Sequence, residues 1–162
     1  MRKIDYQNTI DELKKRELIK PGDKYLVAVF RTETKTNGIV NTVITSNYDY
    51  ILVVNRSELT LYDINKKNGE YLDSYITFKK EDLVFEKKNK NWILAQKGWF
   101  GSRYITIRAD YMDKFSHAYI FPKKIHGYIQ KEKIPEVFDF IKEVYNTHYD
   151  EVKREYKENK KK

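Results

Sequence analysis

The chain has 162 residues, a formal net charge of +8 and no cysteine. That length suits one domain and buries about two-thirds of the unfolded surface, enough for a core without covalent staples. The missing cysteine excludes disulfides, thiolate metal sites and thiol nucleophiles. No stretch approaches the ~18 apolar residues of a membrane-spanning helix, and the Met-Arg-Lys-Ile-Asp-Tyr start lacks the apolar core of a secretory signal. A cytoplasmic protein is the expectation.

A basic balance invites a nucleic-acid reading, but the charge is unevenly spread. Residues 153–162 hold six basic side chains against two acidic ones, half of the whole excess. Such a run is ordinarily solvated rather than a binding element, so nucleic acid is not the expected partner.

In chain order, residues 9–19 read as a short helix. Thr9 followed by Glu12 matches a capping box, Ile10, Leu13 and Leu18 give a thin apolar stripe, and Pro21-Gly22-Asp23 turns the chain. Strand patterns then follow one another to Pro122. Residues 25–32 are apolar on both faces, which predicts a doubly covered strand. Thr36-Asn37-Gly38 is a turn signal, and residues 39–45 and 49–55 are the next strands. Residues 59–64 and 71–78 flank the Lys67-Asn68-Gly69 hairpin signal. Residues 83–87, 92–97, 104–108 and 117–121 complete the series.

The chain closes on a helix. Pro135 suits its first turn, and Ile134, Val137, Phe138, Ile141, Val144 and Tyr145 recur at three- and four-residue steps. One apolar face requires docking on the strands, whereas the lysine-rich end beyond Tyr156 should fray. Residues 1–20 thus read as a helical extension, 21–150 as the main domain and 151–162 as a basic tail.

The strand region resembles the bacterial pleckstrin-homology-like (PH-like) family over residues 20–148. The likeness rests on Pro21-Gly22-Asp23-Lys24 leading into an apolar strand and on Ile51-Leu52-Val53-Val54-Asn55-Arg56 followed by Leu59-Thr60-Leu61-Tyr62. It continues through Lys79-Lys80-Glu81-Asp82-Leu83, the Gly98-to-Gly101 corner before an alternating strand, and the closing helix. It implies a mainly β fold with flanking helices: a bent barrel of about seven strands, one end plugged by the C-terminal helix. The N-terminal helix, and residues 39–46 as an insertion or half of a bent strand, depart from that pattern.

Chemistry-bearing constellations are sparse. His117, His126 and His148 lie nine and twenty-two residues apart, unlike a helical metal pair. There is no Gly-x-Ser-x-Gly corner and no phosphate cradle before a helix. Asp110, Asp113 and His117 could gather a metal or an acid–base pair, but a polar loop is the simpler reading. No catalytic residue, metal or cofactor is expected.

The prominent feature is Gly98-Trp99-Phe100-Gly101 between Lys97 and Arg103. Two large aromatics at a hairpin tip either fold back on the domain or form an exposed anchor. Lys97, Trp99, Phe100 and Arg103 are therefore the candidate binding residues, for an unidentified protein or a second copy of the chain. The alternative partner is an anionic membrane surface, with Lys87, Lys88 and Lys90 adding charge. The first hairpin offers only Arg31 and Lys35 around Glu33, poor provision for a phosphoinositide pocket. Tyr50, Tyr62, Tyr71, Tyr75, Tyr104 and Tyr119 fall in strands, where cross-strand packing is their expected role.

Overall fold

The computed structural model describes residues 3–160 apart from 32, 38–39, 45, 88–89, 99–100 and 110–116, and within 33–44 it describes the backbone alone. Helix α1 (Tyr6–Lys15) begins three residues before the predicted start, because Asp5 is the cap and accepts the Asn8 amide at 3.1 Å. Thr9, the expected cap, sits in the second turn, where its hydroxyl reaches the Gly69 carbonyl. The helix ends at Lys15 rather than near 19. The Leu18 and Glu17 amides fold back to the Leu13 and Lys14 carbonyls, with Glu17 in the left-handed region at φ 61°.

The strands are β1 (Lys24–Phe30), β2 (Glu33–Asn37), β3 (Val40–Ile44), β4 (Tyr48–Val54), β5 (Glu58–Asn65), β6 (Tyr71–Lys79), β7 (Trp92–Lys97), β8 (Arg103–Arg108), β9 (His117–Ile120), β10 (Lys124–Ile125) and β11 (Tyr128–Ile129). Seven of them form one antiparallel sheet in the order β6-β5-β4-β1-β9-β8-β7. β3 is not half of a longer bent strand: it pairs with β2 in a two-stranded hairpin of its own, between β1 and β4 in the chain. Thr36 and Asn37 belong to β2 rather than to the turn, and Gly38 lies outside the described residues. The segment 83–87 is not a strand. Among the described residues it makes one bridge, Phe85 to Lys90. His126 (φ 46°) and Gly127 (φ 82°) form the tight turn between β10 and β11, a geometry suited to two-residue hairpins.

The C-terminal helix runs as α2 (Lys133–Ile141), a π-helical stretch (Lys142–Asn146) and α3 (Thr147–Lys160). It stays helical four residues past Tyr156, where fraying was expected. Along α3, Asp150, Glu151, Glu155 and Glu158 offset Lys153, Arg154, Lys157 and Lys160, and opposite charges one turn apart support a solvated helix.

The core has two layers, one on each face of the sheet. On the inner face Leu26, Ala28, Leu52, Leu59, Leu61, Phe78, Ile93, Ile105 and Ile107 meet Ile134, Val137, Phe138, Ile141 and Tyr145 of the helix. Each large apolar side chain buried this way contributes about 1.5–3 kcal/mol. On the outer face, over β1, β4 and β5, Val27, Ile51, Val53, Tyr62 and Ile64 pack against Tyr6, Ile10, Leu13 and Ile19. Ile125 and Tyr128 of the small hairpin lean on the same layer. This second layer is the reason β1 and β4 read as apolar on both faces.

The expected closed barrel is absent. No ladder joins β6 to β7 among the described residues, and the two strands end an open order. The helix occupies the edge that closure would use. The Asn146 carboxamide accepts the Ala95 amide at 2.8 Å and donates to the Ala95 carbonyl at 2.9 Å. Tyr145, the preceding residue of the π-helical stretch, donates its hydroxyl to the Asn55 carbonyl, just past the end of β4, at 2.8 Å.

Gln130 performs the same task deeper in the molecule. Among the described residues β9 pairs with β1 at Val29 and Phe30, with one further bond from the Arg31 amide to the Ala118 carbonyl. At Val27 the Gln130 carboxamide takes the place of a strand, accepting the backbone amide at 2.8 Å and donating to the carbonyl at 2.9 Å. The same nitrogen donates to the Pro122 carbonyl at 2.8 Å. Gln130 is 1% exposed and Val27 fully buried, so no water can substitute. Gln130→Ala should lower the unfolding free energy by about 2–4 kcal/mol, since orphaned buried amides and carbonyls pay their full desolvation cost. Asn146→Ala, at an edge strand nearer solvent, should cost about 1–2 kcal/mol. Urea denaturation of the two variants measures both.

Several tyrosines are buried as neutral phenols. Tyr6 donates to the buried Asp49 carboxylate, and burial, reinforced by that carboxylate, raises its pKa strongly. Burial likewise raises Tyr145 and pushes Tyr62 and Tyr128 up to about 12. A folded-state pKa above the unfolded value of 10.0 means that this stability is complete below pH 10 and is lost as pH rises through 12. Each tyrosine ionised only in the unfolded chain steepens the loss by at most about 1.4 kcal/mol per pH unit. Denaturation profiles between pH 9.5 and 12 should therefore fall, and Tyr145→Phe should flatten the slope by one proton.

Candidate functional site

The predicted corner joins the last two strands of the open order. Lys97 and Arg103 face each other as the final pair of the β7–β8 ladder. The Gly98 amide donates to the Ser102 carbonyl at 2.7 Å, and Gly101 sits at φ 78°. A Cβ on Gly98 would stand 2.9 Å from the Ser102 hydroxyl and 3.3 Å from the Tyr104 ring, so the sequence needs glycine there for close approach. Trp99 and Phe100 lie outside the described residues. Lys97 is exposed. Arg103 is half-buried, with its guanidinium carbon 5.7 Å from the centre of the Phe138 ring, and leans on α2 rather than on solvent. The structure thus keeps Lys97 and Arg103 neighbours in register but turns only Lys97 outward.

The alternative acid–base grouping is not assembled within the described residues. Asp110 and Asp113 lie outside them, and the His117 ring packs edge-on against Phe30 at 5.4 Å. His148 lies 2.9 Å from the Leu83 carbonyl, and His126 lies in the β10–β11 turn with its ring 5.8 Å from that of Tyr6. Among the described residues no three histidines or carboxylates converge as metal ligands, and no helix is long and apolar enough to cross a membrane.

The expected packing role of the strand tyrosines holds for Tyr62 and Tyr119, which are buried, and for Tyr75 as a cross-strand contact with its ladder partner Tyr62, although Tyr75 stays 61% exposed. β6 departs from regular pairing between Tyr71 and Tyr75, where Asp73 adopts φ 53°. That bulge lifts Leu72 to 39% exposure. The Tyr62 ring forms the floor, with Tyr71 at 5.5 Å and Tyr75 at 5.7 Å. Arg16 closes one side: its guanidinium lies over Tyr71 at 5.2 Å and pairs with Asp73 at 2.8 Å. The outer face of β5–β6 therefore carries an aromatic cluster with a charged rim. The available sequence signal was the polar company of Tyr75, with Asp73, Ser74 and Thr77 around it, which marks a lightly covered strand. Ile129 is more exposed, at 67%, but projects from the two-residue strand β11 without such a cluster.

No family model matches the chain, and no curated protein matches it. Among solved structures, the hSac2 domain from human phosphoinositide phosphatase Sac2 is similar at 13% identity, with 86% of this chain and 84% of that chain covered and a TM-score of 0.36. A likeness of that degree assigns neither family nor activity.

Proposed function

We propose that the chain is a non-enzymatic PH-like module that recognises protein, with a second copy of itself as the first partner to test. The PH-like reading draws support from the strand order, in which β1, β4, β5 and β6 form one meander and β7, β8 and β9 another. The C-terminal helix packed across the inner face supports it further. The β2–β3 hairpin and α1 are additions to that plan.

The observation that carries the interaction reading is Tyr75, a large ring left 61% exposed on a stacked aromatic floor. Tyrosine and arginine dominate the energetic centres of protein interfaces, and here Tyr71, Tyr75 and Arg16 stand together on elements fixed by two core layers. In the membrane alternative, centred on the Gly98-to-Gly101 corner, Lys97 and Lys87 are exposed cations, whereas Arg103 leans on Phe138, Lys90 lies over the Phe85 ring and Lys88 lies outside the described residues.

Sedimentation of the purified protein across a wide concentration range tests the reading. A reversible dimer is expected, weakened at least tenfold by Tyr75→Ala, as loss of a central aromatic anchor entails. A protein that stays monomeric throughout, and whose cross-linked partners are the same with and without Tyr75, would contradict it. Co-sedimentation with anionic vesicles that persists at physiological salt and needs Trp99 would move the assignment to the membrane alternative.

A further inference from the structure

Away from the Tyr75 ring, two helices distant in sequence bring cations to one phenol. Tyr25 opens β1 beside the Pro21-Gly22 turn. The Lys133 ammonium, from the first turn of α2, lies 3.1 Å from the centre of its ring, and the Lys14 ammonium, from the last turn of α1, lies 4.8 Å from it. The two ammonium groups are close enough for Lys14 to disfavour the charged form of Lys133, after the larger effect of burial. Burial acts to raise the Tyr25 phenol, yet the pull of Lys14 and Lys133 outweighs it and the net shift is downward.

Like charges held together are unfavourable unless something negative compensates them. The nearby carboxylates are each bonded elsewhere, although Glu136 also favours the charged form of Lys133. Glu136 pairs with Lys24 at 2.9 Å, and Asp23 accepts the Lys20 amide at 2.9 Å and lies 3.4 Å from the Asn55 side-chain nitrogen. Beside the ring opens a cleft of about 340 Å³, lined in part by Lys14, Lys20, Gly22, Asp23 and Tyr25 but not by Lys133, which is room for a tetrahedral oxyanion.

We infer that a phosphate monoester dianion binds where this cleft meets the Tyr25 side chain, held by the Lys14 and Lys133 ammonium groups and the Tyr25 hydroxyl. Compact ammonium groups suit phosphate as point charges, and the hydroxyl adds a donor of fixed direction. Two dispersed ammoniums and one phenol make a site of modest strength, in the millimolar range for free phosphate. The site shares α1 with the Tyr75 cluster, through Lys14 here and Arg16 there, but substitutions at Lys14 and Lys133 leave Tyr75 and Arg16 in place, so it is tested apart from the protein-recognition reading.

The test is amide NMR of the full chain titrated with inorganic phosphate, ionic strength held constant with chloride. The Gly22 and Tyr25 amides should shift and saturate. Lys14→Gln with Lys133→Gln should weaken binding at least tenfold, whereas Lys157→Gln, on the far end of α3, should leave it unchanged. Lys14→Gln alone, a change at an exposed helix position, should weaken it several-fold and serves should the double variant fail to fold. A parallel arm uses phosphatidylcholine vesicles carrying phosphatidic acid. Tighter binding there than to free phosphate assigns the monoester to a lipid headgroup, and equal or weaker binding assigns it to a soluble ligand. Shifts that grow linearly without saturation, or saturable binding indifferent to both lysines, would overturn the inference.

Discussion

A sheet that is covered on both faces must satisfy the buried backbone groups along its strands, and Val27 and Ala95 are two buried positions with no strand on one side. β9 leaves β1 after two paired residues, and β7 is the last strand of its meander. Each position receives one carboxamide that presents a donor and an acceptor side by side, as a neighbouring strand would: Gln130 at Val27 and Asn146 at Ala95. An unpaired buried amide or carbonyl costs about 1–3 kcal/mol, comparable to the value of a buried leucine. The two residues also fix where the C-terminal helix begins and where it bends. Gln130 immediately precedes its first turn, and Asn146 closes the π-helical stretch that directs Tyr145 to Asn55. Helix and sheet are thereby registered by hydrogen bonds as well as by apolar contact, which has no direction of its own.

A binding function, as proposed, falls to the surface in this arrangement. The inner face is filled by the helix, and half of the outer face is filled by α1 and the β10–β11 hairpin. What remains is a pair of surface features on rigid supports. One is the Tyr71–Tyr75 cluster, held by the Tyr62 floor and the Arg16–Asp73 pair. The other is the meeting of Lys14 and Lys133 at Tyr25. Both depend on α1: Arg16 and Lys14 stand at its C-terminal end, and the burial of Tyr6, Ile10 and Leu13 sets its placement. The N-terminal helix is accordingly a structural part of both candidate surfaces, although its sequence reads as an appendage.

The legible parts of the fold were those that local pattern controls. Alternation located the strands, because side chains on successive strand residues point to opposite faces. The three- and four-residue steps from Ile134 to Tyr145 located the helix and its docking face. The illegible parts were set by distant partners. Nothing near Gln130 in the sequence announces that its side chain will stand in for a strand at Val27, 103 residues away. Thr9 and Glu12 fit a cap by spacing, yet Asp5 holds the position because the chain before it is pinned, with Ile4 packed on Gly69. Residues 83–87 carry a strand's composition but become a strap under α3, where Phe85 packs between Tyr149 at 5.9 Å and Tyr156 at 5.2 Å. For the candidate site, the corner at Lys97 and Arg103 was visible from its glycines, whereas the Lys14–Tyr25–Lys133 convergence leaves no local trace.

Native-state hydrogen exchange of the Val27 and Ala95 amides examines the carboxamide clamps directly. If Gln130 and Asn146 complete the sheet, both amides exchange only on opening close to global unfolding, and in Gln130→Ala the Val27 amide alone moves to a faster, local opening. Exchange of Val27 in the unaltered protein at the rate of an exposed loop amide would contradict the account.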